Sequence, residues 1–355
     1  MGVEEELLLV DPGTGHLAAV AESAVRANDA GEEVEPELFS QQIETSTPPC
    51  VSAADLEAGI RAGRRAVGQA AAAAGARAVA VATPVLAETD ARFTDKSRYR
   101  RIQGEYGEMA RQALVCAMHV HVGVADDEEA VRVVDRIRPW LPLLVAISSN
   151  SPYWHGRDTA HASWRSQVWS RWPTAGPAQP FGDVATYRSV AERMLSLGGG
   201  IDPGMLYFDV RLAQHFPTVE IRVADVTTDV EDVVLVALLA RALVATAARD
   251  HAAPTWRADL LRVAGWRAAL SGLAGDLVHP GTGLLVPARE VITATVDHTR
   301  RALEESGDLA LVQDSCERLL ARGTGATRQR STFESTDDLC AVVEDLARRT
   351  EVSWG

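Results

Sequence analysis

Leu114-Val115-Cys116-Ala117-Met118-His119-Val120-His121-Val122-Gly123-Val124 is an apolar run interrupted by two histidines. Its length and valine content read as a strand. Successive strand residues face opposite ways, so His119 and His121 share one face and Val120 takes the other. Neutral imidazole is a common metal ligand. The same pair reads equally as two hydrogen-bonded histidines at a core or its rim.

Outward from this run, the pattern differs on the two sides. Toward the N-terminus lie a helical stretch, Tyr99 to Ala113, and an apolar strand-length run, Ala76 to Val85. Ser52-x-x-Asp55 resembles a capping box opening a helix that runs to Gly75. Leu38 to Thr45 reads as a strand ended by Pro48-Pro49. Val3 to Val10 is another, followed by the turn Asp11 to Gly15, with His16 to Val20 a candidate return strand. Toward the C-terminus, Asp126 to Ile147 is a long helix interrupted at Pro139 and Pro142. Ser148 to Phe181 is irregular and carries Trp154, Trp164, Trp169 and Trp172, the mark of a functional loop. Strands are expected at Met205 to Val210 and Thr218 to Val223. Helices follow at Val230 to Arg249, Thr255 to Ser271, Pro287 to Glu305, Asp308 to Arg322 and Thr336 to Arg349. Strands first and helices last predict an α+β fold, a mostly antiparallel sheet with helices packed on one side. No linker interrupts the pattern, so residues 1–355 are expected to form a single domain.

At 355 residues, 46% hydrophobic and 24% charged, the chain is neither disordered nor fibrous. Its 49 acidic and 35 basic residues give a formal net charge of −14. Such a surface repels phosphate backbones, so no nucleic acid is expected as a partner. A nucleotide is still compatible, because divalent cations can stand between acids and phosphates. Lys96 is the sole lysine, and there is no G-x-x-x-x-G-K-[ST] run. Nucleotide phosphates would therefore have to meet arginines and metal ions. Glu4, Glu5 and Glu6 so close to Met1 do not read as a signal peptide. Val233 to Ala248 is too short to span a bilayer, so no membrane partner is expected. The cysteines at 50, 116, 316 and 340 lack C-x-x-C spacing, which fits a reduced, cytoplasmic setting.

Three further clusters carry candidate chemistry, each with a plainer reading beside it. Glu4 and Glu6 share a face of the first strand while Glu5 points the other way; alone, they suit an acid-decorated edge strand. Glu37 and Glu44 fall on opposite faces of a regular strand, so pairing them needs a bulge or turn. In Pro217-Thr218-Val219-Glu220-Ile221-Arg222-Val223, Glu220 and Arg222 share the face opposite the valines. That pair suits either a surface ion pair or a Mg²⁺ ligand beside a guanidinium that holds phosphate. Oxygen ligands in excess over nitrogen favour Mg²⁺ or Mn²⁺ over Zn²⁺.

Taken in order, four segments resemble the ATP-dependent carboxylate-amine ligase family, commonly described as type 2 glutamate–cysteine ligases. They are Gly2-Val3-Glu4-Glu5-Glu6-Leu7-Leu8-Leu9-Val10-Asp11-Pro12, His119-Val120-His121-Val122-Gly123, Asn150-Ser151-Pro152-Tyr153-Trp154-His155-Gly156 and Pro217-Thr218-Val219-Glu220-Ile221-Arg222. Gly325-Ala326-Thr327-Arg328-Gln329-Arg330 extends the match toward residue 350. The resemblance implies a glutamine-synthetase-like curved antiparallel sheet whose concave face carries ATP and Mg²⁺ or Mn²⁺. It implies metal ligation by Glu4, Glu6, Glu37, Glu44 and Glu220, with His119 at the metal–nucleotide site and Arg222 facing the transferring phosphate. The implied reaction joins a carboxylate, the γ-carboxylate of glutamate, to an amine, cysteine by default, through an acyl phosphate. Small amino-acid and amine substrates and a homo-oligomer, a dimer or larger, are the expected partners.

Substrate contacts are expected from Arg165 and Trp169 in the tryptophan-rich loop, with Arg100 and Arg101 as alternatives for binding a carboxylate. Two competing functions are a metal-dependent amidohydrolase using His119 and His121, and a non-catalytic nucleotide-binding homologue.

Overall fold

A computed structural model describes residues 1–28, 34–87, 91–250 and 256–354. Seven strands form one antiparallel sheet: β1 (Gly2–Val10), β2 (Val34–Pro36), β3 (Gln42–Ser46), β4 (Arg77–Val79), β5 (Ala117–Gly123), β8 (Val210–Leu212) and β9 (Thr218–Asp225). The intervening β6 (Tyr153–Trp154) and β7 (Arg157–Asp158) make a small hairpin, as do β10 (Asp276–Val278) and β11 (Leu285–Pro287). The sheet order is β2-β3-β1-β5-β9-β8, with β4 also paired to β1. The register sets Glu4 opposite His119, Glu6 opposite Glu44, and His121 opposite Glu220.

Helices pack on one side of this sheet, giving the expected α+β layout. Ala53–Ala73 lies against β1 and β3, Val230–Arg249 against β5, and Asp127–Ile137 and Leu141–Ser148 against β9. Ser52 caps the first of these, accepting from Asp55 N at 3.0 Å. Val230–Arg249 is apolar nearly all round and accordingly buried among other helices and the sheet. No helix among the described residues is long and apolar enough to cross a membrane.

Several elements differ from the sequence reading, each for a local reason. Ala76 to Val85 keeps strand pairing only at β4, because Ala80 O and Ala82 O accept bonds from Asn150, Thr228 and Cys116 instead. His16 to Val20 makes one bridge, Val10 to Leu17, before the helix Ala21–Ala27 begins. Met205 to Val210 is not a strand: Pro203–Met205 forms a 3₁₀ turn, Phe208 makes a single bridge to Gly176, and pairing with β9 starts at Val210. The helix Val184–Ser196 was not anticipated; Asp183 caps it by accepting from Thr186 N at 2.7 Å. The expected helix Thr336 to Arg349 runs Leu339–Val352, and an unanticipated helix, Gly325–Thr336, precedes it, the two parted at Asp337 with φ of 53°. Thr255 lies outside the described residues, and the helix there runs Ala258–Ser271.

Two of the recognisable motifs serve the framework. Asn150 is wholly buried and donates through Nδ2 to Ala80 O, Val226 O and Thr228 Oγ1. Gln329 Nε2 donates in turn to Asn150 O and Oδ1 at 3.0 and 2.8 Å. Gly325 closes this knot, since a Cβ there would stand 2.1 Å from Asn150 Oδ1. Asn150 is pinned by its hydrogen bonds and cannot swing aside. Gly325→Ala is therefore expected to destabilise the fold by about 1–3 kcal/mol, the usual cost of overpacking. A thermal midpoint equal to wild type would discard this account.

Candidate functional site

The face of the sheet turned away from the helices carries the charged residues. Val3, Met118, Val120, Val219 and Ile221 enter the helix-side core, which leaves their neighbours Glu4, Glu6, His119, His121, Glu220 and Arg222 on the other face. These six line a cavity of about 260 Å³ together with Glu37, Glu44, Tyr99 and Arg211.

Glu4 lies at its centre, with Oε2 3.3 Å from His119 Nδ1 and Oε1 3.2 Å from His121 Nε2. Glu220 accepts from Arg211 Nε at 2.6 Å and also from Arg222. Glu6 accepts from Ala117 N at 2.7 Å, and Glu37 from Tyr99 OH at 3.0 Å. Two triads could each hold a cation, with ligand atoms within 4.8 Å of one another: Glu4, His121 and Glu220, and Glu4, Glu44 and His119. His119 Nε2 is buried with no hydrogen-bond partner. Glu4 belongs to both triads, so it is common to both candidate positions. This oxygen-rich donor set fits Mg²⁺ or Mn²⁺.

The electrostatics divide the acids into two groups. Burial raises Glu6 to about 8, helped by Glu37, and Glu37 is itself raised by burial. Burial and then the charges of Glu37, Glu6 and Glu4 push Glu44 well above the carboxylate range. Crowded carboxylates of this kind hold protons until positive charge replaces them. Burial also opposes ionisation of Glu4, but hydrogen bonds from His119 and His121 outweigh it and hold its pKa low. Glu220 is similar: burial opposes its charge, and Arg222 and Arg211 override it. Burial, then the Arg222 charge, lowers His119 to about 4, leaving a neutral imidazole near pH 7.

Glu37 and Glu44 reach this cavity together because the chain turns between them. The expected strand Leu38 to Thr45 begins only at Gln42; residues 38–41 form a turn in which Gln42 N donates to Phe39 O. Arg165 is buried beneath the sheet margin, donating to Arg222 O at 3.1 Å, and lines an adjoining cavity. Trp169 borders both cavities. Arg100 is not brought to either: it is exposed and pairs with Asp95, while exposed Arg101 pairs with Glu105. Sequence reasoning missed Arg211 and Tyr99. Arg211 could have been found from Asp209-Val210-Arg211, a short alternating run able to pair with the Glu220 strand; Tyr99 carried no signal.

Comparison with known proteins finds matches along nearly the whole chain. The profile of glutamate-cysteine ligase family 2 (GCS2) matches residues 1–345. A Nocardioides sp. protein named "Putative glutamate--cysteine ligase 2-1" is 48% identical over 369 residues, covering 100% of this chain and 96% of its own. Among solved structures, the glutamate–cysteine ligase of Francisella tularensis in complex with AMP superposes with a TM-score of 0.70 at 12% identity. That match covers 99% of this chain and 88% of the other. A bifunctional glutathione synthetase from Pasteurella multocida gives a TM-score of 0.68 at 14% identity, covering 99% of this chain and 51% of that one. At such identities the two structures speak for the fold.

Proposed function

The chain belongs to glutamate–cysteine ligase family 2, and from that premise we propose that it is an ATP-dependent ligase joining the γ-carboxylate of glutamate to an amine through an acyl phosphate. The observation that carries the reading is one sheet face on which a carboxylate–imidazole cluster abuts the Arg222 guanidinium. When bound, ATP with its divalent ions supplies the phosphoryl group and the positive charge that offsets its oxygens. Glu4, Glu6, Glu37, Glu44, Glu220 and His119 would hold those ions. Arg211 fixes the Glu220 carboxylate from one side. Arg222 presents a guanidinium to charge developing on the transferred group, in a recess that excludes most water. The work of the chain is thus positioning and charge neutralisation.

An amidohydrolase built on His119 and His121 has less support. Each candidate ion triad among the described residues holds a single imidazole, and His121 Nδ1 is also 3.1 Å from Thr218 Oγ1.

The deciding experiment is ADP release under Mg²⁺ and then Mn²⁺, with glutamate and a panel of amines. Release is expected only when glutamate, an amine and a divalent cation are all present, and EDTA should abolish it. Amide hydrolysis in the absence of ATP would overturn the assignment.

A further inference from the structure

A second cavity of about 480 Å³ meets the first at Trp169, Tyr207 and Arg222, which line both. Its walls are largely apolar, with Leu141, Val145, Phe208 and Trp266 among them. Asp209 and four arginines also line it; Arg138 and Arg165 donate to main-chain carbonyls and Arg222 to Glu220, which leaves Asp209 and Arg262 as the opposite charges not so engaged. Asp209 sits just before β8 beside Arg222, its carbonyl accepting from Arg222 N at 2.9 Å. Neither the Asp209 carboxylate nor the Arg262 guanidinium makes a hydrogen bond or close ion pair among the described residues. Arg262 rests against Gly176, where φ is 105° and a Cβ would come within 3.6 Å of the guanidinium. At the mouth, Val263 is 58% and Trp266 45% exposed, apolar surface that a ligand would cover.

Resting on the ligase reading, we propose that this cavity is the acceptor pocket. It takes a free α-amino acid with a side chain larger and more apolar than cysteine's, Asp209 holding the ammonium and Arg262 the carboxylate. The two poles match a zwitterionic head group, and a lone amine would leave Arg262 unanswered. The volume falls in the range of roughly 300–1,000 Å³ typical of small-molecule pockets. A cysteine side chain, one methylene and a sulfur, would leave most of it unfilled. Glutamate as donor gains nothing from these walls, whereas a large apolar side chain buries itself against them. Arg222, shared by both cavities, then lies between the activated carboxylate and the incoming nitrogen.

The test compares cysteine, leucine, phenylalanine and phenethylamine (phenylalanine without its carboxylate) as amines in glutamate-dependent ADP release. Calorimetry with phenylalanine reads binding directly. The expected kcat/KM for phenylalanine or leucine is at least tenfold above that for cysteine, and for phenylalanine at least tenfold above phenethylamine. Arg262→Ala should remove the preference for phenylalanine over phenethylamine, chiefly through KM, and Arg262→Lys should restore part of it. Asp209→Asn should weaken phenylalanine binding about tenfold in the calorimeter. Hydroxylamine trapping of the glutamyl phosphate separates the two levels of the argument. Hydroxamate formed by an enzyme that prefers cysteine, or that ignores the missing carboxylate, overturns the pocket alone. No hydroxamate and no ADP with any amine overturns the ligase reading and the pocket with it.

Discussion

Arg222→Ala is expected to lower glutamate-dependent ADP release by about 10²–10³, the usual cost of removing one donor aimed at developing charge. Arg222 is 8% exposed, and its guanidinium meets Glu220 and lies 5.7 Å from the centre of the Tyr207 ring. Burial works against its charge, yet Glu220 and Tyr207 keep it firmly cationic. Its Nε has no hydrogen-bond partner within the protein, so part of the fork is free for a ligand. The fold should survive the change, because Glu220 keeps both of its bonds from Arg211. Arg222→Lys should recover little, since a point charge replaces a planar fork. Circular dichroism would check the fold. Near-normal turnover in a folded Arg222→Ala protein removes Arg222 from the chemistry.

Glu5→Ala is expected to cost about 3–5 kcal/mol of stability, a large share of the roughly 5–15 kcal/mol that holds a typical domain together. Glu5 faces away from the cavity and is 2% exposed; Arg64, its partner on the helix Ala53–Ala73, is wholly buried. The pair is bidentate, Nε to Oε2 at 3.0 Å and Nη2 to Oε1 at 2.6 Å. The other Arg64 bonds go to Thr227 O, Thr228 O and Ser353 Oγ. Truncating Glu5 leaves a guanidinium buried without a counter-charge. Glu4→Ala, one residue away, should change the urea midpoint little and act on the cation requirement instead. Equal midpoints for the two variants would contradict this division of labour.

That contrast shows how far the sequence could be read. Alternation alone separates Glu5 from Glu4 and Glu6, and periodicity finds β1, β5, β9 and the helices Ala53–Ala73 and Val230–Arg249. These elements are long, and each buries one clear face. Pairing is less legible. The juxtaposition of Glu4 with His119, or Glu220 with His121, is a register between segments over a hundred residues or nearly that apart, and no local pattern encodes it. Glu37 and Glu44 looked opposed because their parity assumed a straight strand; the turn at residues 38–41 reverses that conclusion. Arg100 was an expected alternative for binding a substrate carboxylate, but the neighbouring Asp95 already engages it. The second cavity was illegible for the same reason as the register: it joins residues near 141, 165, 209, 222 and 262 that only the fold assembles.

The link from Arg64 to residues 5 and 353 has a consequence for biogenesis. The strand that holds Glu4 and Glu6 leaves the ribosome well before its partner strand at 117–123 and the Ser353 hydroxyl behind Arg64. At roughly 5–20 residues per second, about 350 residues take roughly 20 to 70 seconds to follow. Leu7, Leu8 and Leu9 are covered sooner, since β3 and β4 pair with them; what waits through that interval is the buried Glu5–Arg64 pair, short of its Ser353 partner, a window in which a chaperone would have something to hold.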